Sequence, residues 1–347
     1  MPELATTGPL ADLGVSVPVL AAPLAGGPST PDLVLAAARS GGLGFLAAGY
    51  QSPHVLGEQI DTVRRQTSRF GVNLFAPPPV PVDAAAYARY RDLLLPEADR
   101  LGVVLPEMPV EDDDHWRDKV DLLVDAQVPL VSFTFGIPDA SVVRALHAAG
   151  SVLAQMVTSA EEAVRAADAG LDALVVQGPG AGGHSATLTP ERVPEVRPLP
   201  GLVAEVRSTV GLPVVATGGL ASADDVAATL RAGADAAMVG TVLLLAPESG
   251  TSAVHRAALG DPSRGDTVVT RAFTGRPARA LPNAFIAAYD SEAPAGYPAL
   301  HHLTSPLRRA SAAAGDPERV HLWAGTGYRQ AVDQPAETVL RGLAAAL

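Results

Sequence analysis

The chain has 347 residues and not one cysteine. Disulfides, a thiolate nucleophile, zinc–thiolate sites and iron–sulfur clusters are therefore excluded, and catalysis must rest on other groups or on a borrowed cofactor. Basic residues are outnumbered, 25 Lys and Arg against 37 Asp and Glu, for a net charge of −12. With no Lys- or Arg-rich run, nucleic acid and anionic membrane surfaces are poor partners, because both need a concentrated positive field. No apolar run approaches the roughly 18 residues of a membrane span. The first basic residue is Arg39, so the apolar start lacks the positive region of a secretory signal, and a cytoplasmic protein is expected. The 33 glycines and 31 prolines stay below the range of about 25–30% that marks low complexity. The length suits two ordinary domains, or one α/β barrel of about 250 residues with an insertion.

What is present is an alternation. Short apolar runs at 18–25 (PVLAAPLA), 42–49, 70–76, 130–136, 151–157, 173–178, 213–219 and 236–240 are each followed by a turn and an Ala-rich helical stretch. Continuous apolar runs are how strands buried on both faces read. Thr30-Pro31, Ser159 and Ser222 supply helix starts, while Ala149-Gly150, Ala169-Gly170 and Ala232-Gly233 supply stops. Eight such units predict a (β/α)₈ barrel, with a doubly wound open sheet as the alternative that sequence alone leaves standing. The expected division is a barrel over 1–248, a cap or lid inserted after the eighth strand at 249–315, and a segment 316–347 returning to the barrel. The acidic run 111–114 lacks the alternating ligand spacing of a calcium loop and reads as a solvated loop or helix start.

Glycine-rich turns end three of the runs: GPGAGGH at 178–184, Gly218-Gly219 and Gly240-Thr241. Glycine allows close approach to a ligand, and the loops after strands seven and eight of a barrel form its recurrent phosphate site. His184 follows Gly182-Gly183 at a strand end, a suitable place for a general base or an anion-binding group. His54, His115, His147 and His255 read as surface residues; His301, His302 and His321 fall in or beside the cap. Zinc-type histidine spacing and the G-x-S-x-G elbow are both missing, and no metal site is expected. Phosphate-binding glycines beside a lone histidine point to a phosphate-bearing organic cofactor that carries out the electron chemistry itself.

Several runs together resemble the nitronate monooxygenase family, also called 2-nitropropane dioxygenase. They are APLAGGPSTP (22–31), GVNLF (71–75), SFTFG (132–136), QGPGAGGH (177–184), Gly218-Gly219, Gly240-Thr241, GRPAR (275–279), Tyr297-Pro298 with LTSPLR (303–308), and WAGTGY (323–328). The resemblance implies an FMN-containing TIM barrel that oxidises alkyl nitronates, such as propionate 3-nitronate, or nitroalkanes, with dioxygen to a carbonyl compound and nitrite. It implies Ala22, Pro23 and Leu24 along the flavin ring and Asn73 and Gln177 as polar flavin contacts. Backbone from Gly182, Gly183, Gly218, Gly219, Gly240 and Thr241 would surround the phosphate, with His184 as the active-site histidine. Thr134, Tyr297 and His302 are the expected substrate contacts. Thr134 stands where many relatives carry histidine, and Gly180 where many carry glutamate. The assembly implied is a monomer or homodimer. The alternatives are an FMN-dependent enoyl-acyl-carrier-protein reductase using NAD(P)H, and a flavin-binding barrel without activity.

Overall fold

A computed structural model describes residues 9–77, 81–193 and 195–347. Eight parallel strands close into a barrel: β1 (Val19–Ala21), β2 (Gly44–Ala47), β3 (Phe70–Phe75), β4 (Leu130–Thr134), β5 (Val152–Val157), β6 (Ala173–Gln177), β8 (Val214–Thr217) and β9 (Ala236–Val239), with β9 pairing back onto β1. Each coincides with one of the eight apolar runs, so the open-sheet alternative falls. A further short strand, β7 (Gly183–His184), lies between β6 and β8 and outside the barrel. Leu20, Phe45, Met156, Val175, Val215 and Met238 fill the interior, which is a packed core and not a pore. Gly71 pairs with Phe45, and a β-carbon there would lie 2.4 Å from the Phe45 ring, so the glycine makes room for the large side chain opposite.

The helix starts behave as their residues dictate. Thr30 caps helix Pro31–Arg39 by accepting from Leu33 N, Ser159 caps Ala160–Asp168, and Ser222 forms a capping box with Asp225. The outer helices bury Val34, Leu56, Leu146 and Val206 against the other faces of the strands. The last helix, Ala336–Leu343, adds Leu340 and Leu343 to that layer. No described helix is long and apolar enough to cross a membrane.

The cap is built from two parts of the chain. After β9, the strands β10 (Val268–Thr270) and β11 (Ala278–Ala280) form a hairpin, followed by helices Ala284–Tyr289 and Ala299–Ala313. Helix Ala84–Leu101, from the β3–β4 connection, packs into the same core: Tyr87, Tyr90 and Leu94 lie with Phe273, Phe285, Leu300 and Leu303. Tyr90 Oη donates to Ala272 O at 2.7 Å. Helix Ala84–Leu101, within the expected barrel unit, thus shares a core with the segment after residue 249.

Two buried cations organise the surroundings of the barrel mouth. Lys119 is 1% exposed; its Nζ donates to Ala48 O at 2.9 Å and lies 2.8 Å from Asp114 Oδ2. Asp114 Oδ1 also accepts from Tyr50 N. The acidic run lies in the loop before helix Trp116–Asp125 and is not simply solvated, since Asp114 is the partner of a buried ammonium. In the cap, Arg308 donates to His301 Nδ1 and O, His321 Nδ1 and Thr304 Oγ1. An imidazole that accepts from a guanidinium must be neutral at that nitrogen. Burial, reinforced by Arg308, pushes both imidazoles below the ordinary histidine range. His255, expected at the surface, is 8% exposed and burial lowers it to about 4.

Lys119→Met should lower stability by about 3–5 kcal/mol, because it strands Asp114 in a half-buried site, and Asp114→Asn in the same chain should recover part of the loss. Urea titration of the three proteins measures both. His255, His301 and His321 are depressed in the folded state, so the unfolded chain binds more protons once pH drops below about 6.5. The stability they contribute is complete above that value and declines toward acid, each by up to about 1.4 kcal/mol per pH unit. Melting temperature should fall from pH 7 to pH 5, and less steeply in His321→Gln.

Candidate active site

A cleft of about 580 Å³, partly open to solvent, lies over the carboxyl ends of β1, β6, β8 and β9. Ala22, Pro23 and Leu24 line one side; Gln177, Gly182, Gly218, Gly219, Gly240 and Thr241 line the rest, together with Met156, Met238, Gly325 and Gly327. A β-carbon on Gly182 would lie 2.5 Å from Gly325 N, and one on Gly218, at φ +109°, 2.6 Å from Gly178 O. Only glycine fits at either position, leaving a wall of bare backbone at the strand ends. Such a wall suits a phosphate, and the apolar side at Ala22–Leu24 suits a flat ring. The residues present thus fit a phosphate-bearing aromatic cofactor.

The segment 324–327 lies within the WAGTGY run. It closes the cleft: Gly325 N donates to Thr241 Oγ1 at 2.9 Å and Thr326 N to Gly180 O at 3.0 Å. The Thr241 side chain is consequently engaged within the protein. A β-carbon at Gly180 would lie 2.9 Å from Thr326 Oγ1, so the glycine that departs from the family pattern makes room for this segment.

Beside the cleft, β7 joins the cap hairpin in the order β10-β11-β7, with Ala278 opposite His184 and Arg279 opposite Gly183. The pairing holds His184 by its backbone. Its ring contacts Phe135, Tyr297 and Trp323 at centroid distances of 5.6, 5.6 and 5.4 Å. His184 Nε2 lies 2.9 Å from Thr274 Oγ1. That hydroxyl reaches Arg276 O at 3.4 Å; when it donates there, Nε2 keeps the proton and Nδ1 carries the lone pair. Burial, then Arg276 and Arg308, push His184 down to about 3. Burial thus favours the neutral imidazole, and the positive charges that act on it are the guanidiniums of Arg276 and Arg308. Arg276 is 0% exposed and stacks over Phe135, 4.0 Å from the ring centroid.

The other expected contacts separate into two groups. Tyr297 lies at the mouth, against Phe135 and His184, and its Oη donates to Tyr50 Oη at 3.2 Å. Gln177 lines the cleft, but its amide clamps the His184 loop, accepting from Ala186 N and donating to His184 O. Asn73 does not line the cleft; its Nδ2 donates to Ser132 O, Ser132 Oγ and Thr134 Oγ1. Thr134, 5% exposed, bonds Asn73 and Met156 Sδ, so the two residues are engaged with each other across β3 and β4. His302 points away and pairs with Asp112 at 2.8 Å. Its neighbour His301 takes the place beside the mouth, stacked on Tyr50 at 4.2 Å. The sequence left His301 open and gave no role to Arg276, Tyr50 or Phe135, although Arg276 and Phe135 lie in the runs GRPAR and SFTFG.

The nitronate monooxygenase family model matches residues 8–344. A probable nitronate monooxygenase of Staphylococcus aureus strain MRSA252 is 36% identical over 337 residues, covering 95% of this chain and 94% of the relative. Among solved structures, a nitroalkane oxidase from Streptomyces ansochromogenes superposes with a TM-score of 0.92 at 43% identity, covering 98% of both chains. FabK from Thermotoga maritima superposes at 0.73 with 26% identity, covering 96% of this chain and 94% of that one. The barrel, the glycine-walled cleft and the histidine at its rim thus sit in a chain that belongs to the nitronate monooxygenase family.

Proposed function

We propose that the protein is an FMN-dependent monooxygenase that oxidises alkyl nitronates with dioxygen to a carbonyl compound and nitrite. The observation that carries the reading is the place of His184 beside the glycine-walled cleft: Gly182 lines the cleft, and two residues on the imidazole packs among Phe135, Tyr297 and Trp323. Ala22, Pro23 and Leu24 would carry the flavin ring and the glycine turns its phosphate. Bound there, FMN would supply the electron transfer between nitronate and dioxygen.

The protein's own contribution is positioning and exclusion of water. Aromatic rings around His184 lower the local dielectric, so electrostatic interactions there are stronger than in water. A neutral His184 is able to hydrogen-bond a nitro oxygen. As a base it is weak, since a conjugate acid held near pH 3 gives little driving force for taking a proton from carbon. This favours a substrate that arrives already ionised, the nitronate, over the neutral compound suggested by the name of the Streptomyces relative. The likeness to FabK supports a second reading, a reductase fed by NAD(P)H.

Purified protein should be yellow and should release nitrite and consume oxygen with ethyl nitronate or propionate 3-nitronate. His184→Ala should retain flavin while losing turnover by about 10²–10³-fold; undiminished turnover would remove His184 from the reaction. Rapid anaerobic bleaching by NADPH, without nitrite release in air, would transfer the assignment to the reductase. Gly182→Val should push the backbone of residues 324–325 off the cleft wall, lowering the melting temperature and reducing the flavin content of the purified protein at least about tenfold.

A further inference from the structure

The chain carries a net charge of −12, yet the proposed substrate is an anion and the histidine beside it is neutral. Something else must attract and hold the negative charge. Two buried guanidiniums lie near His184, and neither forms an ion pair among the described residues. They differ in what they have left to give. Arg308 spends all three nitrogens on Thr304, His301 and His321. Arg276 donates through Nε to Ser185 O and through Nη2 to Thr187 O, while its Nη1 is buried without a hydrogen-bond partner.

A buried donor on a charged group without an acceptor is costly, and such groups in native proteins call for an explanation. The location supplies one. The Arg276 guanidinium stacks on Phe135, and the Phe135 ring abuts both His184 (5.6 Å) and Tyr297 (5.1 Å). The two engaged nitrogens bind carbonyls just past His184, fixing the guanidinium plane against the same short strand that carries the histidine. Tyr50, Tyr297 and His184 are the other titratable groups around it, and Glu162 and Glu191 are the carboxylates whose charges reach it.

We propose that Arg276 is the residue that selects the anionic form of the substrate, its Nη1 donating to a nitro oxygen of a nitronate lying against Phe135, His184 and Tyr297. This rests on the nitronate reading of the site and names the group responsible for the preference. Guanidinium suits the task because it stays charged in an apolar setting where an imidazole does not; burial lowers Arg276 only to about 10.

The test uses the flavin-loaded enzyme and nitrate, an unreactive planar anion with the same oxygen spacing chemistry, followed by calorimetry at constant ionic strength. Wild-type protein should bind nitrate with a dissociation constant that is flat from pH 5.5 to 8.5. An affinity that weakens about tenfold per pH unit above 6.5 would assign the charge to His184 and overturn the proposal, as would no binding at 0.1 M nitrate. Arg276→Gln should weaken nitrate by about 30-fold or more and Arg276→Lys by much less. In Arg276→Gln the KM for ethyl nitronate should rise by a similar factor, while the inhibition constant of neutral nitroethane, used as a competitor of that substrate, changes less than about twofold. Equal losses for the anion and the neutral competitor, or unchanged nitrate affinity, would overturn it. Because the wild-type pH profile needs no variant, a variant that fails to fold leaves the test intact. Arg276-dependent nitrate binding without any nitronate turnover would retain the anion site and defeat the nitronate reading instead.

Discussion

His184 is held in place by two residue pairs of backbone. On one side of its loop, β6 is locked into the barrel, with Gln177 registered against Thr217. On the other, Gly183 and His184 pair with Arg279 and Ala278 of the cap hairpin. The loop between has no freedom to relax, because Gly182 is packed on the backbone of residues 324–325 and Ser185 N donates to Pro277 O. One face of this loop walls the cleft and the other presents the imidazole. The distance between a ring bound in the cleft and the histidine is therefore set by main-chain geometry, which is stiffer than any side-chain rotamer. The cap is not an appendage in this arrangement, since its central strand is what fixes the histidine.

That arrangement imposes an electrostatic condition. Packing the imidazole among Phe135, Tyr297 and Trp323 reduces its contact with water and favours its neutral form. The surroundings repeat the pattern, with Arg308 satisfied by two imidazoles and a hydroxyl where a carboxylate would be the commoner partner. A carboxylate there would neutralise the guanidinium and repel an anionic ligand in the same step. Imidazole nitrogens satisfy the donors and leave the positive field intact. The region thus keeps a positive potential inside an acidic molecule, carried by groups that do not titrate near neutrality.

The barrel was readable because its strands are buried on both faces and so appear as eight unbroken apolar runs, with Thr30, Ser159 and Ser222 marking helix starts. The composite cap was not. Helix Ala84–Leu101 looks like any amphipathic barrel helix, and nothing local shows that Tyr90 bonds to Ala272, 182 residues later. The glycine turns were legible because their chemistry is in the backbone. Side-chain roles were less so: Asn73 and Thr134 satisfy each other across β3 and β4, a pairing that depends on register. His301 and His302 differ by one step on a helix, about 100°, and that rotation decides which faces Tyr50 and which faces solvent and Asp112. Arg276 was hidden because an arginine in a Gly/Pro-rich turn reads as surface.

The mouth also concentrates backbone strain. Tyr50 and Phe135, at φ +67° and +80°, are among the few non-glycine residues in the left-handed region, where a bulky side chain is disfavoured. Both touch Tyr297, Tyr50 through its hydroxyl and Phe135 edge-on. Each is held by a buried cation. Asp114, fixed by Lys119, accepts the amide of Tyr50, and Lys119 itself binds Ala48 O two residues before it. Arg276 lies on the face of Phe135. The acidic run and the GRPAR turn, far apart in sequence and unlike in chemistry, thus do parallel work: each uses a desolvated charge to hold one strained aromatic against Tyr297. Strain of this kind persists only where the surroundings over-determine it, and here the surroundings are the same charges that set the field of the site.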